Sequence, residues 1–133
     1  MDAQNERELL NAPVEEADGG PGDEIVRQRR DKLERLLTEE GYNPYLHEKW
    51  EWKHHLDYVR RNFEHLAVDE IDESAEIVTA GRVMTLRKHG KATFANLADE
   101  TDILQLYLQL DAMGEEDYSF VKKWVDSGDW VGV

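Results

Sequence analysis

Aromatic and amide side chains alternate with apolar residues along two neighbouring stretches of β-type sequence. Phe94 and Asn96 share one side of the first stretch, and Gln105 and Tyr107 share one side of the second, because successive side chains of a strand point to opposite faces. If pairing brings these two sides level, an aromatic ring lies beside amides on a polar surface. Such a surface can stack an unpaired nucleic-acid base and hydrogen-bond its edge. The spacing alone also allows Phe94 to be a core residue.

The charge distribution decides whether a nucleic acid is a plausible ligand. A net charge of −14 argues against one, since binding to phosphates depends on Lys and Arg. Half of this charge lies in the first 24 residues, which contain eight acidic residues and one arginine. No acidic residue occurs between Glu76 and Asp99, where four basic residues form a local positive patch: Arg82, Arg87, Lys88 and Lys91.

The N-terminal half predicts a tail followed by helices. Residues 1–22 are acidic and rich in Gly and Pro, so we expect a disordered tail. A helix is predicted from Glu24 to Leu37, with Asp23 as its N-cap and a basic face that is either solvated or a second phosphate contact. A second helix is predicted from about His47 to Leu66. Its histidines lack the spacing of a zinc site, so we expect no metal there.

The C-terminal half predicts a small β-barrel. Strands are expected at 76–87, 91–97 and 103–110, with a turn at His89-Gly90, then a helix at 115–125 and a strand at Trp130–Val133. This is the element order of an OB-fold, a five-stranded Greek-key barrel, here mainly β with preceding helices and incomplete at the C-terminus. The predicted divisions are a tail at 1–22, a helical region at 23–70 and an OB-fold domain at 71–133.

Three groups of residues resemble the anticodon-binding barrel of class II lysyl-tRNA synthetases. They are Thr79-Ala80-Gly81-Arg82-Val83-Met84, His89-Gly90-Lys91-Ala92-Thr93-Phe94 and Leu104-Gln105-Leu106-Tyr107. The helix and its exit at 29–45, and the stretch at 120–133, look like the same family. The resemblance covers about residues 24–133. One departure is Glu100-Thr101-Asp102, where the family has a small glycine-containing turn.

The resemblance implies an anticodon-binding site on the barrel. Phe94 would stack on an anticodon base, Gln105 would hydrogen-bond a base edge, and Arg87 would contact a base or its phosphate. Asn96 lies on the same side as Phe94. Arg82 matches the family motif, but strict alternation places it on the opposite side of its strand from Arg87.

The resemblance also implies a larger protein. Its catalytic domain would follow the barrel and bind ATP, Mg²⁺ and lysine, so we expect no cofactor and no catalytic residue in this chain. The expected partner is the anticodon stem-loop of a lysine tRNA, and the parent would be a homodimer. Because the chain ends inside the fourth strand, we expect it not to form a stable, tRNA-binding monomer by itself.

Location and competing functions follow from the whole sequence. There is no cysteine, no signal peptide and no apolar run of membrane-spanning length, so we expect a cytoplasmic protein. One alternative is a stand-alone OB-fold RNA-binding or regulatory protein related to the synthetases. Another is a protein-interaction domain whose acidic surface binds a basic partner.

Overall fold

The computed structural model describes residues 20–46 and 49–133. The chain divides into two compact units, Met1–Asn43 and Pro44–Val133. The division of the chain predicted from the sequence, with a boundary at residue 71, stays a prediction. Most of the predicted tail, residues 1–19, lies outside the described residues, as does His47.

The first unit contains helix α1, Pro21–Glu39. Gly20 is its N-cap, and the Asp23 carboxylate in its first turn accepts the Gly20 N–H at 3.2 Å. The helix therefore begins before Asp23, the predicted N-cap. Its exposed face contains ion pairs such as Arg27–Glu24 at 3.3 Å. No helix in the described part of the chain is long and apolar enough to cross a membrane.

The predicted second helix is wrong over most of its length. A short 3₁₀ turn, Pro44–Leu46, is followed after an undescribed pair of residues by extended chain, and helix α2 covers only Leu56–Phe63. The backbone N–H groups of Lys53 and His54 both donate to the Val78 carbonyl, at 2.8 and 3.0 Å. This segment uses its backbone donors on a distant residue, so they are not available for a helical ladder.

Four antiparallel strands form one sheet in the order β3-β2-β1-β4. They are β1 Ala80–His89, β2 Ala92–Ala98, β3 Ile103–Gln109 and β4 Trp130–Gly132, with α3 Leu110–Met113 and α4 Glu115–Trp124 between the last two. Gly90 makes the β1–β2 turn with φ of +53°, a conformation that favours glycine. These are four of the five strands of an OB-fold, and the predicted fold class is confirmed.

One face of the sheet builds the core. Leu56 of α2, Val83 of β1, and Ala95 and Leu97 of β2 are at most 2% exposed. Gly81 lies on this face because an added Cβ would be 2.9 Å from Cγ of the core residue Leu97. Further leucines and valines pack against the cluster, among them Leu86, Leu104, Leu106, Val125 and Val131. The opposite face, which we call the outer face, carries the predicted site.

Candidate nucleic-acid interface

Two cross-strand rows on the outer face bring the predicted site together. The first row is Arg87, Phe94 and Tyr107, which are register partners across β1, β2 and β3. The second row is Thr85, Asn96 and Gln105. Directly paired residues of antiparallel strands have side chains on the same face about 5 Å apart. The pairing that the sequence left conditional is therefore confirmed, because Phe94 and Asn96 lie level with Tyr107 and Gln105.

Phe94 and Tyr107 form a stacked aromatic pair on this face. Their ring centroids are 4.8 Å apart with an interplanar angle of 23°, and the His89 ring meets Phe94 edge-on at 6.4 Å. The Tyr107 hydroxyl accepts a hydrogen bond from Gln109 Nε2 at 2.9 Å. Phe94 is half-buried, whereas Thr93 and Ala95 on either side of it face the core and are at most 2% exposed. The alternative that Phe94 belongs to this core is therefore wrong.

The polar side chains of the two rows have donors and acceptors available for a ligand. Within the described residues, no hydrogen bond or ion pair occupies the side chains of Arg87, Asn96 or Gln105. Gln105 and Arg87 are exposed, and Asn96 is half-buried between them on the middle strand. An amide offers both an acceptor and two donors, so Asn96 and Gln105 can pair with a base edge in a single plane. The guanidinium of Arg87 can bind a phosphate or a base.

A β-bulge changes the predicted position of Arg82. The register shifts between Val83 and Thr85, so that Met84 is the extra residue of β1. Arg82 pairs with Ala98, whose side of β2 is the outer face, and thus lies on the same face as Arg87. The prediction from strict alternation that these arginines lie on opposite sides is wrong. The sequence contains no glycine or other signal that marks the bulge.

The positive patch is also smaller than the sequence predicts. Lys88 is the partner of the core-facing Thr93, and its Nζ donates to the Lys122 and Val125 carbonyls at 2.6 and 3.2 Å. It stabilises the C-terminal end of α4. The cationic side chains of β1 on the outer face are therefore Arg82 and Arg87.

The β2–β3 turn holds α2 against the sheet. Asp99 Oδ2 accepts the Leu56 N–H at 2.9 Å, and Thr101 Oγ1 accepts the Asp57 N–H at 3.1 Å, so the turn caps the first turn of α2. Arg60 of α2 pairs with Asp102 and donates to the Ile103 carbonyl at 2.7 Å. Of the three residues that depart from the family pattern, Thr101 and Asp102 therefore have a structural role.

Asp99 is the most perturbed acid of this turn. Burial of its carboxyl by itself raises the pKa, but hydrogen bonds from the Leu56 N–H, from Thr101 and from the Asp102 N–H outweigh burial and lower the pKa to about 2. The carboxylate is therefore charged throughout the physiological range. Its Oδ1 accepts the Thr101 and Asp102 N–H groups at 2.7 and 3.0 Å.

Among the described residues, no group of three or more His, Cys, Asp and Glu side chains could hold a metal ion. The outer-face rows instead combine aromatic rings, amides and a guanidinium, which are groups that bind ligands without metal or nucleophilic chemistry. The arrangement can stack a planar base, pair with its edge and neutralise a phosphate.

Comparison with known families agrees with this chemistry. Residues 77–133 match the tRNA anticodon family, described as an OB-fold nucleic acid binding domain. The match covers 57 of the 133 residues of the chain. The OB-fold domain thus includes all of β1 to β4 and every residue of the two outer-face rows.

Curated relatives extend the similarity upstream of the OB-fold domain. Lysine–tRNA ligase of Thermosipho africanus is 36% identical over 107 residues, which are 80% of this chain and 21% of that protein. Lysine–tRNA ligase of Shouchella clausii is 40% identical over 111 residues, 83% of this chain and 22% of that protein. The protein of the same name from Campylobacter jejuni subsp. doylei is 39% identical over 111 residues. The chain spans about a fifth of the length of these relatives.

Sequence reasoning missed three features of this interface. Thr85 shares a row with Asn96 and Gln105, but the bulge hides this in a strict alternation. His89 reaches the Phe94 ring although the sequence marks it only as a turn residue. The stacking of Tyr107 on Phe94 depends on the register between β2 and β3. The alternating leucines of β3 show which residues face the core, but they do not show which residue of β2 lies opposite each of them.

Proposed function

We propose that the OB-fold domain reads the anticodon of a lysine tRNA. The observation that carries the proposal is the pair of outer-face rows, in which the Phe94–Tyr107 stack adjoins Asn96 and Gln105 with Arg87 beside them. An unpaired anticodon base exposes its π-face and its Watson–Crick edge, and this surface offers a partner for each.

Each residue has a distinct part in the proposal. Phe94, backed by Tyr107, stacks on one base. Gln105 and Asn96 hydrogen-bond the base edge and so supply selectivity, whereas Arg87 contacts a base or phosphate and supplies affinity and position. Arg82 lies on the same face and is the second cation of the site.

We further propose that the complete protein is a lysine–tRNA ligase, which joins lysine to its tRNA using ATP and Mg²⁺. The support is the similarity to lysine–tRNA ligases over about four-fifths of this chain. ATP and Mg²⁺ would be bound elsewhere in the complete protein. The residues that the structure describes form no metal-binding group. The proposal includes a cytoplasmic homodimer, and an aminoacylation assay of the complete protein distinguishes the ligase from a stand-alone RNA-binding protein.

The test of anticodon reading is the affinity of the protein for a lysine-tRNA anticodon stem-loop and for stem-loops changed at one anticodon base. We expect the cognate stem-loop to bind most tightly. Arg87→Gln should weaken every complex, whereas the control Arg61→Gln, an exposed arginine of α2 paired with Asp57, should not. Equal affinity for all anticodons would refute base reading. Tight binding to basic proteins but not to RNA would favour the protein-interaction alternative.

A further inference from the structure

The outer face carries a second aromatic surface at its β4 end, away from Phe94. Trp130 is 74% exposed and pairs with Arg82 on β1. Its neighbour Val131 packs against the core, so Trp130 and Gly132 point to the outer face. Trp130 therefore presents its indole on the same face as Arg82 and the Phe94 row.

Trp50 covers the Gly132 end of the surface around Trp130. Its indole lies directly over Gly132, where an added Cβ would be 2.4 Å from the ring, and its Nε1 donates to the Thr79 carbonyl at 2.9 Å. Gly132 is therefore required for the close approach of the ring. The fixed Trp50 ring occupies the end of the outer face next to Trp130, whereas Trp130 and Arg82 themselves are exposed.

Arg82 supplies the charge that a nucleotide needs. Its Nε donates to the Gly128 carbonyl at 3.2 Å, which anchors the side chain beside β4. The terminal nitrogens of the guanidinium form no ion pair with any described residue. The nearby Asp129 carboxylate accepts the Asp126 N–H at 2.8 Å and forms no ion pair with Arg82. An aromatic ring beside an anchored guanidinium is suited to a stacked base and its phosphate.

The two aromatic surfaces lie on one continuous face. The Phe94 row and the Ala98–Arg82 row are four residues apart on β2, and β4 is two strands from β2, so the Cα atoms of Phe94 and Trp130 are separated by about 16 Å. An OB-fold accommodates about 4–16 nucleotides of a single strand. A loop that places one base on Phe94 therefore has nucleotides to spare for Trp130.

We propose that Trp130, with Arg82 beside it, is a second base-stacking site that takes an unpaired RNA nucleotide near the one bound at Phe94. This proposal rests on the RNA-binding function proposed above. The arginine and the continuity with the first site favour RNA over an apolar protein segment as the occupant.

The experiment combines protein variants with stem-loops that lack one base at a time. Trp130→Ala should weaken binding of the intact stem-loop about fivefold or more, and Trp130→Phe should restore most of it, since phenylalanine keeps a π-face. The loss should vanish when one particular loop base is already missing. For Phe94→Ala, the base whose removal abolishes the effect should be a different one.

A control and three outcomes make the test decisive. Trp52→Ala removes an indole that is 49% exposed and contacts His55, and it should leave the affinity unchanged. If Phe94→Ala weakens binding and Trp130→Ala does not, the second site is wrong and the first stands. If neither weakens binding, the proposed function itself fails. If Trp130→Ala and Trp130→Phe both lower the melting temperature with unchanged RNA affinity, Trp130 packs against another part of the protein.

Discussion

Phe94 combines two properties that separate a ligand-binding aromatic from a structural one. It lies on the face opposite the core, and its neighbour Tyr107 supports one side of the ring at 4.8 Å. A supported ring keeps its orientation when no base is bound, so less side-chain entropy is lost on binding. The residue is therefore a preorganised platform.

We expect Phe94→Ala to weaken binding of the anticodon stem-loop by about 1–3 kcal/mol, the range for loss of one base–aromatic stack. The fold should persist, because the variant leaves the core face of β2 intact. Affinity and thermal unfolding are measured on the same samples. Phe94→Leu is the matched control, since it keeps the apolar bulk but should lose the same affinity. Unchanged affinity together with a large loss of thermal stability would contradict the stacking role.

Gln105 and Gln109 provide a comparison within one strand. Both amides lie on the outer face of β3, but Gln109 Nε2 is bonded to the Tyr107 hydroxyl, whereas no described residue bonds the Gln105 amide. We expect Gln105→Ala to reduce discrimination between the cognate anticodon and a one-base variant more than it reduces general affinity. Gln109→Ala should change discrimination little. A panel of anticodon variants measures both, and an equal loss against every variant would refute base reading by Gln105.

At the scale of elements, α2 depends on a cap that its own sequence does not supply. His55, the N-cap residue, forms no side-chain cap hydrogen bond, and Asp99 and Thr101 accept the first helical N–H groups instead. α2 in turn contributes Leu56, which is 1% exposed, to the core. The β2–β3 turn therefore couples the helix to the sheet through groups more than forty residues away in sequence.

We expect this coupling to appear as a pH dependence of stability. The pKa of Asp99 is lowered to about 2 in the folded protein, against about 3.9 when unfolded, so its stabilisation is complete above pH ~4 and lost as the pH falls through ~2. The lowering corresponds to roughly 2.5 kcal/mol. Asp99→Asn should reduce the free energy of unfolding by about that amount at pH 7, and less at pH 2.5.

Urea unfolding at pH 7, 4 and 2.5 measures the difference between Asp99→Asn and the unmodified protein. Glu100→Gln is the control, since the Glu100 side chain is 78% exposed and should leave the unfolding free energy unchanged at each pH. A destabilisation by Asp99→Asn that stays constant from pH 7 to pH 2.5 would contradict the lowered pKa.

The strands and helices also show which parts of the fold the sequence predicts. The alternation of leucines in β3 and of small and apolar residues in β2 fixes which faces meet the core, and from these the Phe94–Asn96 and Gln105–Tyr107 surface follows. Local patterns do not reveal long-range hydrogen bonds. The residues around Trp50 have a helical apolar spacing, yet Lys53 and His54 bond to Val78 and Trp50 covers Gly132. The bulge at Met84 likewise depends on the register of two strands.

The electrostatic potential of the whole protein is unfavourable for RNA on average, but it is favourable at the outer face. Its net charge is −14, yet β1 carries no acidic residue and places Arg82 and Arg87 on the outer face. Contacts at the site act over a few ångströms, whereas repulsion from distant acidic residues is screened by salt over about 10 Å at 0.1 M and about 30 Å at 0.01 M. The two contributions can therefore be separated by ionic strength.

We expect deletion of residues 1–19 to raise the affinity for the stem-loop by about threefold at 0.01–0.02 M salt, and to leave it unchanged at about 0.3 M. The deletion removes six acidic residues and one arginine, which changes the net charge from −14 to −9. A tail of the same length in which Ser and Gln replace the charged residues is the control, because it removes the charge and keeps the chain. Both variants should bind alike at every salt concentration, since only the lost charge matters. If the deletion alone raises the affinity, or if the gain persists at high salt, the tail acts by occupying the outer face, and long-range repulsion is the wrong explanation.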